Sequence, residues 1–289
     1  MKTTQELTED RWDIVIEPKS RLLKLNLGEV WRYRDLLLSF VRRDFVAQFK
    51  QTILGPVWHL IQPILTTAMF LLIFSRIARI STDGIEPKVL FYMSGIIIWN
   101  YFAACLTNTA NTFVANAGIF GKVYFPRLVL PLSVVLSNII RFGIQFLLLL
   151  ATMIFYAFKG YPIYLSFYWL LIPVLLLMMA GIGLGLGIII SSLTTKYRDF
   201  AVLLTFAVQL GMYATPIAYP LSYLEGKSYK MLISLNPITP LVETFRYSLF
   251  GKGTFDLNSL GYSFAFMLVV LVTGTLIFNK VEKNFMDTV

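Results

Sequence analysis

A charge-free stretch that follows a helix-stopping dipeptide constrains this chain more than any other feature. Gly55-Pro56 ends whatever helix arrives from the N-terminal side, and Pro56 can open a new helix because its missing N–H is not needed there. Residues 57–74 contain no Asp, Glu, Lys or Arg. At about 1.5 Å per residue, a helix of this length is close to the roughly 30 Å needed to cross a hydrocarbon layer. We therefore predict that the chain enters a membrane at this dipeptide.

The composition extends this conclusion to the whole chain. Of the 289 residues, 57% are hydrophobic and 14% are charged, and the mean hydropathy is +0.69. A soluble domain of this size would carry far more charge on its exterior, so we predict an all-α polytopic membrane protein. The formal net charge of +9 points to cytoplasmic loops and anionic headgroups, and not to nucleic acid. The single cysteine, Cys105, excludes an intrachain disulfide and a cysteine metal cluster.

Two segments precede the first predicted span. Residues 1–27 lack the apolar core of a signal peptide and are expected to form an N-terminal cytoplasmic tail. The next stretch is amphipathic, with an apolar face of Val30, Tyr33, Leu37, Val41, Phe45 and Gln48, widened by Leu38 and Phe40. Arg42 and Arg43 lie on the opposite side. Residues 28–54 are therefore predicted to form a helix in the membrane interface, the alternative being a soluble helix packed on a partner.

Six apolar runs are long enough to span, so residues 55–289 are predicted to form a six-span transmembrane domain. The runs are 57–74, 89–110, 130–158, 163–191, 200–219 and 260–278. An even number of spans places both termini on one side. The Lys and Arg residues before the first span predict that this side is cytoplasmic, although Arg76, Arg79 and Lys88 fall in an outer loop.

Two connections have compositions that indicate a task. Residues 116–127 form an inner loop that carries aromatic and basic side chains beyond the end of a span. Residues 220–258 form an outer segment with two short apolar helices, divided at Asn236-Pro237, that we interpret as re-entrant or interfacial because neither can cross. Glu243 and Arg246 are one helical turn apart and are predicted to pair. Pro237, Glu243 and Arg246 are accordingly assigned to an outer gate.

Charged groups are scarce inside the predicted spans. None of them contains Asp or Glu, and the only histidine, His59, lies near the inner interface, so proton-driven transport and catalysis by paired carboxylates are disfavoured. Arg141 is the sole charge well inside a span. Ser133, Ser137 and Gln145 share its helix face. Two interpretations stay open: Arg141 bonds to this stripe and to backbone carbonyls at a helix interface, or it meets an anionic group such as a lipid phosphate.

Aromatic and amide side chains recur on the predicted second and fifth spans. Such faces suit a sugar-tolerant channel wall, but they also suit hydrogen bonding between helices and anchoring at the membrane interface. On the channel interpretation, the candidate residues are Trp58, Trp99, Tyr101, Asn108, Arg141, Gln209, Tyr213 and Tyr219. No catalytic or metal-binding set is predicted.

Glycines form two patterns that resemble nucleotide motifs without matching them. Gly181, Gly183, Gly185 and Gly187 lie inside an apolar span, where small residues at this spacing favour close helix packing. The sequence EGKS at 225–228 lacks the upstream glycine of a phosphate-binding loop. We therefore expect this chain to bind no cofactor of its own.

Five motifs in matching order resemble the membrane subunits of type-2 ABC polysaccharide exporters, which move lipid-linked O-antigen, capsule or teichoic-acid chains. They are LGPVWHLIQP at 54–63, FPRLVLP at 125–131, RDF at 198–200, MYATPIAYP at 212–220 and NPITPLVETFR at 236–246. The resemblance runs from about Lys50 to the C-terminus. It leaves the tail unassigned and does not identify the polysaccharide.

The resemblance implies a homodimer in the bacterial inner membrane with two separate ATPase subunits, which would hold the ATP and Mg²⁺. It also implies a coupling helix within 116–127 and gate helices within 220–258. The coupling loop's candidate contacts to the ATPase are Phe120, Lys122, Tyr124, Phe125 and Arg127. Two other functions stay open: a membrane-embedded transferase for lipid-linked sugars, and an ABC exporter of a different substrate.

Overall fold

The computed structural model describes residues 27–50, 55–120, 125–162, 164, 166–194, 197 and 199–282. Within these ranges every regular element is helical, which confirms the predicted all-α fold. Almost all of the predicted N-terminal tail lies outside the described residues, as do 51–54 at the end of the predicted interface helix.

The helices follow in this order: α1 (Leu27–Arg32), α2 (Arg34–Phe49), α3 (Trp58–Ile77), α4 (Lys88–Ala115), α5 (Ala117–Phe120), α6 (Val129–Ala157), α7 (Ile172–Thr194), α8 (Asp199–Tyr213), α9 (Lys230–Ser234), α10 (Thr239–Phe250) and α11 (Leu257–Glu282). A short 3₁₀ turn, Phe167–Leu171, leads directly into α7. Among the described residues, five segments are long and apolar enough to cross a membrane: α3, α4, α6, Phe167–Thr194 and Leu257–Phe278. They correspond to five of the six predicted runs.

The fifth predicted run is helical over only part of its length. α8 has 15 residues, about 22 Å, and the prediction of a continuous helix over 200–219 is wrong beyond Tyr213. The chain after it forms turns in which Thr215, Pro216 and Ile217 are buried. Pro216 and Pro220 explain this end, because each removes a backbone donor and disfavours helix in the residue before it. The count of six spans stays a prediction.

The core is built around α4, which packs against α3, α6, α7 and α10. Its residues 90–99 are all buried, as expected for a helix that is apolar on every side. The glycines of α7 allow the closest approach. A Cβ at Gly187 would lie 2.6 Å from the Cβ of Thr109 on α4, and one at Gly185 would lie 2.9 Å from the carbonyl oxygen of Val270 on α11. The close packing predicted for this glycine stripe is confirmed.

The N-terminal helices pack on the beginning of α6. Val30, Leu37 and Phe40 form a buried cluster with Phe125, Val129 and Leu130, and the rings of Phe40 and Phe125 are 5.7 Å apart. A break at Tyr33 separates α1 from α2. Leu38, placed on the apolar face by its spacing, is 58% exposed and lies outside this cluster.

Candidate functional site

Arg246 on α10 holds the chain that leaves α8. Its guanidinium donates hydrogen bonds to the carbonyl oxygens of Pro216 and Ile217, the second at 2.7 Å. Because these carbonyls lie beyond the end of a helix, they have no partner in an α-helical ladder. Arginine suits this position because it presents several N–H donors in one planar fork. Arg246 thus fixes the irregular segment that completes the fifth predicted run.

The predicted pair of Glu243 and Arg246 is confirmed. Their side chains are 4% and 1% exposed, and Nη1 of Arg246 lies 3.4 Å from Oε1 of Glu243. The guanidinium carbon also lies 3.8 Å from the centre of the Phe91 ring on α4, a cation–π contact. Burial raises the pKa of the Glu243 carboxyl, and the charge of Arg246 opposes that rise. Both charges are enclosed by residues of their own chain.

Asn236 and Pro237 connect three helices at the same end of the molecule. The Asn236 amide donates to the carbonyl of Ala214 at 3.2 Å and to Oγ1 of Thr215 at 2.9 Å, both just after α8. The Pro237 carbonyl accepts a hydrogen bond of 2.8 Å from Ser263 on α11. The Asn-Pro pair therefore divides the two short helices, as predicted, and also ties α10 to its neighbours.

A second contact of this outer region could not be read from the sequence. The Ser222 hydroxyl donates to the Asp83 carboxylate, which joins the turn after α8 to the loop before α4. Lys252, just past the end of α10, donates to the carbonyl of Gly84 in the same loop. No spacing rule connects these residues, since they are more than a hundred positions apart.

The first half of the outer segment differs from the second in its exposure. α10 is almost entirely buried, whereas α9 and the turn before it carry a group of exposed apolar side chains. These are Tyr223, Tyr229, Met231, Leu232 and Leu235. Movement of this outer segment would therefore disturb few packing contacts before Pro237 and many after it.

The predicted channel residues fall into two groups. Trp58 on α3 and Tyr213 on α8 are 52% and 54% exposed, and Gln209 is also exposed. Tyr219 is half-buried, and its hydroxyl donates to the Tyr213 carbonyl at 2.8 Å. The same face of α8 exposes Val202, Leu203, Phe206 and Leu210.

The other group lies inside the subunit. Trp99 and Tyr101 are only 4% and 3% exposed, with their rings against Phe102 and Phe142. As core side chains of α4 they reach no surface along which a polymer could pass, so their placement does not support the channel interpretation. The reason is that this part of α4 is buried on all sides, so aromatic side chains on it pack inward whichever face they occupy.

The two polar residues predicted for the channel, Asn108 and Arg141, differ in their hydrogen bonding. Asn108 donates to the Oδ1 atom of Asn138 on α6 at 3.2 Å, the interhelical hydrogen bond that was the simpler of its two interpretations. Arg141 is half-buried and does not bond to the stripe around it. Ser133 and Ser137 donate to carbonyls of their own helix instead. The first interpretation of Arg141 is therefore wrong among the described residues.

The coupling loop is described only in part. The side chain of Phe120, together with Lys122 and Tyr124, lies outside the described residues, and Arg127 is half-buried. Phe125, predicted to contact an ATPase subunit, is instead 5% exposed and packs against α2. Its apolar ring gains more from this contact than from exposure at the end of a span. No three His, Cys, Asp or Glu side chains of the described ranges gather to hold a metal ion.

Comparison with known proteins places these helices in a family. Residues 35–250, a range that includes α8, α9 and α10, match the family described as "ABC-2 type transporter". An O-antigen export system permease protein RfbA from Klebsiella pneumoniae is 29% identical over 266 residues, which cover 92% of this chain and 98% of that protein. A protein of the same name from Myxococcus xanthus is 27% identical over 262 residues, with 90% and 98% covered. The chain belongs to the ABC-2 type transporter family.

Proposed function

We propose that this chain is the permease subunit of an ATP-driven ABC exporter that moves a lipid-linked polysaccharide across the bacterial inner membrane. The observation that carries the proposal is similarity along nearly the whole length of proteins named O-antigen export permeases. The five long apolar helices support a multi-pass membrane protein. Both termini are proposed to lie in the cytoplasm, since basic residues cluster before the first span.

The energy for transport is proposed to come from partner subunits. The family is that of ABC transporters, and the EGKS sequence of this chain lacks the glycine five positions upstream that a phosphate-binding loop requires. Two ATPase subunits would bind the ATP and Mg²⁺, and this chain would act as a transport subunit and not as an enzyme. Arg127 and the loop 116–127 are the proposed contact.

A second copy of the chain is proposed to complete the path. α3 and α8 carry exposed apolar side chains over most of their length, and in a membrane such faces meet lipid or another protein. Trp58, Gln209, Tyr213 and Tyr219 lie on or beside these two helices and are the proposed contacts to the polymer. Pro237, Glu243 and Arg246 hold the outer end of α8 and are proposed to set the gate there.

Deletion and complementation test this function. Removal of the gene should leave the polysaccharide inside the cytoplasmic membrane, and the wild-type chain with its ATPase partner should restore surface polysaccharide. Restoration by the chain without the partner would contradict the proposed energy source. Intact surface polysaccharide in the deletion strain, or loss of polysaccharide synthesis itself, would contradict the export function and favour a transferase or another substrate.

A further inference from the structure

Arg141 lies at a different depth from the one that its position in α6 suggests. It follows Val129 by twelve residues, about 18 Å along a helix of 29 residues. The start of α6, however, packs on the amphipathic α2 through the cluster of Phe40, Phe125 and Val129. This first part of α6 therefore runs beside the predicted interface helix, which places it outside the hydrocarbon layer.

Two neighbours fix the level of Arg141 more closely. α6 packs against both α3 and α2, and Arg141 is near enough to His59, the second residue of α3, and to Asp44 on α2 for its charge to act on both. α3 is the first span, and from Arg141 to the end of α6 at Ala157 there remain sixteen residues, or about 24 Å. In the proposed orientation, Arg141 is thus level with the cytoplasmic start of the first span, where the phosphates of inner-leaflet lipids lie.

The guanidinium of Arg141 has donors available at this level. It makes no hydrogen bond to any described residue, although it is half-buried. Among the described residues, the carboxylate near it is that of Asp44, which is already bridged to Arg43 at 2.7 Å. Arg43, Asp44 and Arg141 together keep a net positive charge. A cation with free N–H groups at headgroup depth attracts an anion that accepts several hydrogen bonds.

We propose that Arg141 binds the phosphate group of a lipid in the inner leaflet. The planar fork of arginine matches two oxygens of a phosphate, and partial burial strengthens the charge interaction by limiting contact with water. The ligand class is a lipid phosphate. If this lipid is the lipid end of the transported substrate, the assignment rests on the proposed function. If it is a membrane phospholipid, the assignment does not depend on that function.

Native mass spectrometry of the permease purified with its ATPase partner tests the site. The complex is titrated with phosphatidic acid and, separately, with diacylglycerol of the same chains, which has no phosphate. Arg141→Gln should weaken retention of phosphatidic acid about tenfold, because a lost charged hydrogen-bond pair changes binding by at least that factor. Arg141→Lys should keep part of the affinity, and diacylglycerol retention should not change.

Arg34→Gln is the matched control, since it removes an exposed arginine from α2, the helix that packs on the start of α6. An equal loss in Arg34→Gln would overturn the proposal by showing diffuse surface charge, and full retention in a folded Arg141→Gln complex would show that Arg141 only packs. Competition between phosphatidylglycerol and lipid-linked polysaccharide extracted from the producing cells identifies which lipid fills the site. The complementation experiment above decides the proposed function independently, because it uses only the wild-type chain.

Discussion

Residue 95 on α4 is a glycine because Arg246 occupies the place of its side chain. A Cβ built at Gly95 would lie 2.5 Å from the Nη2 atom of Arg246 and 3.2 Å from Cγ2 of Ile217. Arg246 cannot withdraw, since its guanidinium is held by Glu243, by the Phe91 ring and by the carbonyls after α8. Three separate segments therefore meet at a point where one methyl group does not fit.

Gly95→Ala is expected to destabilise the subunit and to reduce export, because the new methyl group displaces Arg246 from the carbonyls of Pro216 and Ile217. Overpacking of this kind costs about 1–3 kcal/mol. Gly143→Ala is the control, since a Cβ there meets nothing within 4 Å, and alanine is the better helix former. The thermal unfolding of both purified variants checks the difference. Equal stability would contradict the close contact.

Removal of Glu243 should leave the Arg246 charge buried without its carboxylate. Breaking a buried pair in this way costs about 3–5 kcal/mol, so we expect Glu243→Ala to unfold at a clearly lower temperature and to export less. Glu243→Gln should unfold at a temperature between those of the wild-type chain and Glu243→Ala, because an amide oxygen still accepts a hydrogen bond. Both variants are measured by thermal unfolding and by surface polysaccharide.

Exchange of the two charges should not restore stability. A guanidinium moved to position 243 would leave the Pro216 and Ile217 carbonyls and the Phe91 ring without the contacts that Arg246 makes. The double variant Glu243→Arg with Arg246→Glu is therefore expected to be no more stable than Glu243→Ala. Recovery in the double variant would show that charge pairing alone matters at this site.

Phe125→Ala should destabilise the permease even in the absence of its ATPase partner. The ring is buried against Phe40, and truncation of a buried phenylalanine costs about 3–5 kcal/mol. Arg127→Ala should have a smaller effect on stability and a larger one on co-purification of the ATPase subunit. Unfolding of the isolated permease and pull-down of the partner separate the two effects. An unchanged unfolding temperature for Phe125→Ala would contradict its role in the core and favour the predicted contact of Phe125 with the ATPase subunit.

Cysteine substitutions can separate exposed channel residues from buried ones in a Cys105→Ser background. Positions 58 and 213 should react with a water-soluble thiol reagent in the assembled complex, because both side chains are about half exposed in the subunit. Positions 99 and 101 should not react, because both are in the core of α4. Labelling of 58 and 213 only by a lipid-soluble reagent would remove α3 and α8 from the proposed path.

Gly187→Ala should destabilise the contact of α7 with α4. The added methyl group would lie 2.6 Å from the Cβ of Thr109 and 3.0 Å from the carbonyl oxygen of Leu106, and backbone cannot move aside as a side chain can. Gly261→Ala on α11 is the control, because nothing lies within 4 Å of a Cβ there. The unfolding temperature should fall for Gly187→Ala and should stay the same or rise for Gly261→Ala. A neutral Gly187→Ala would mean that the two helices can separate without cost.

Much of the fold was predictable because membrane spans depend on a one-dimensional property. The helices that correspond to the first four predicted spans and to the sixth begin and end within a few residues of the apolar runs. α8 was harder. Thr215-Pro216 was visible in an apolar run, but hydropathy counts apolar residues whether or not they are helical, and only burial in protein makes the irregular end acceptable.

The site was predictable only where the contact is local. Glu243 and Arg246 pair because they are three residues apart on one helix, which is a rule of sequence. The other partners of Arg246 are thirty positions away, so no periodicity could have revealed them. Trp99 and Tyr101 were assigned to a channel because aromatic side chains suit sugars, yet the same side chains suit a core, and only tertiary packing decides between these uses.

The glycines of α7 also decide which parts of the subunit can move. At Gly183, Gly185 and Gly187 the backbone of α7 lies against backbone and short side chains of α4 and α11, so a change of rotamer there would not let one helix slide along another. These three helices must therefore shift together as one stiff body. α3 and α8 are attached to that body by few buried side chains, three on Trp58–Phe70 and one on α8 among the described residues. A lateral opening in the wall of the subunit would accordingly form by swinging α3 or α8 outward, on the microsecond-to-millisecond scale of hinge motions, while the other helices stay in register.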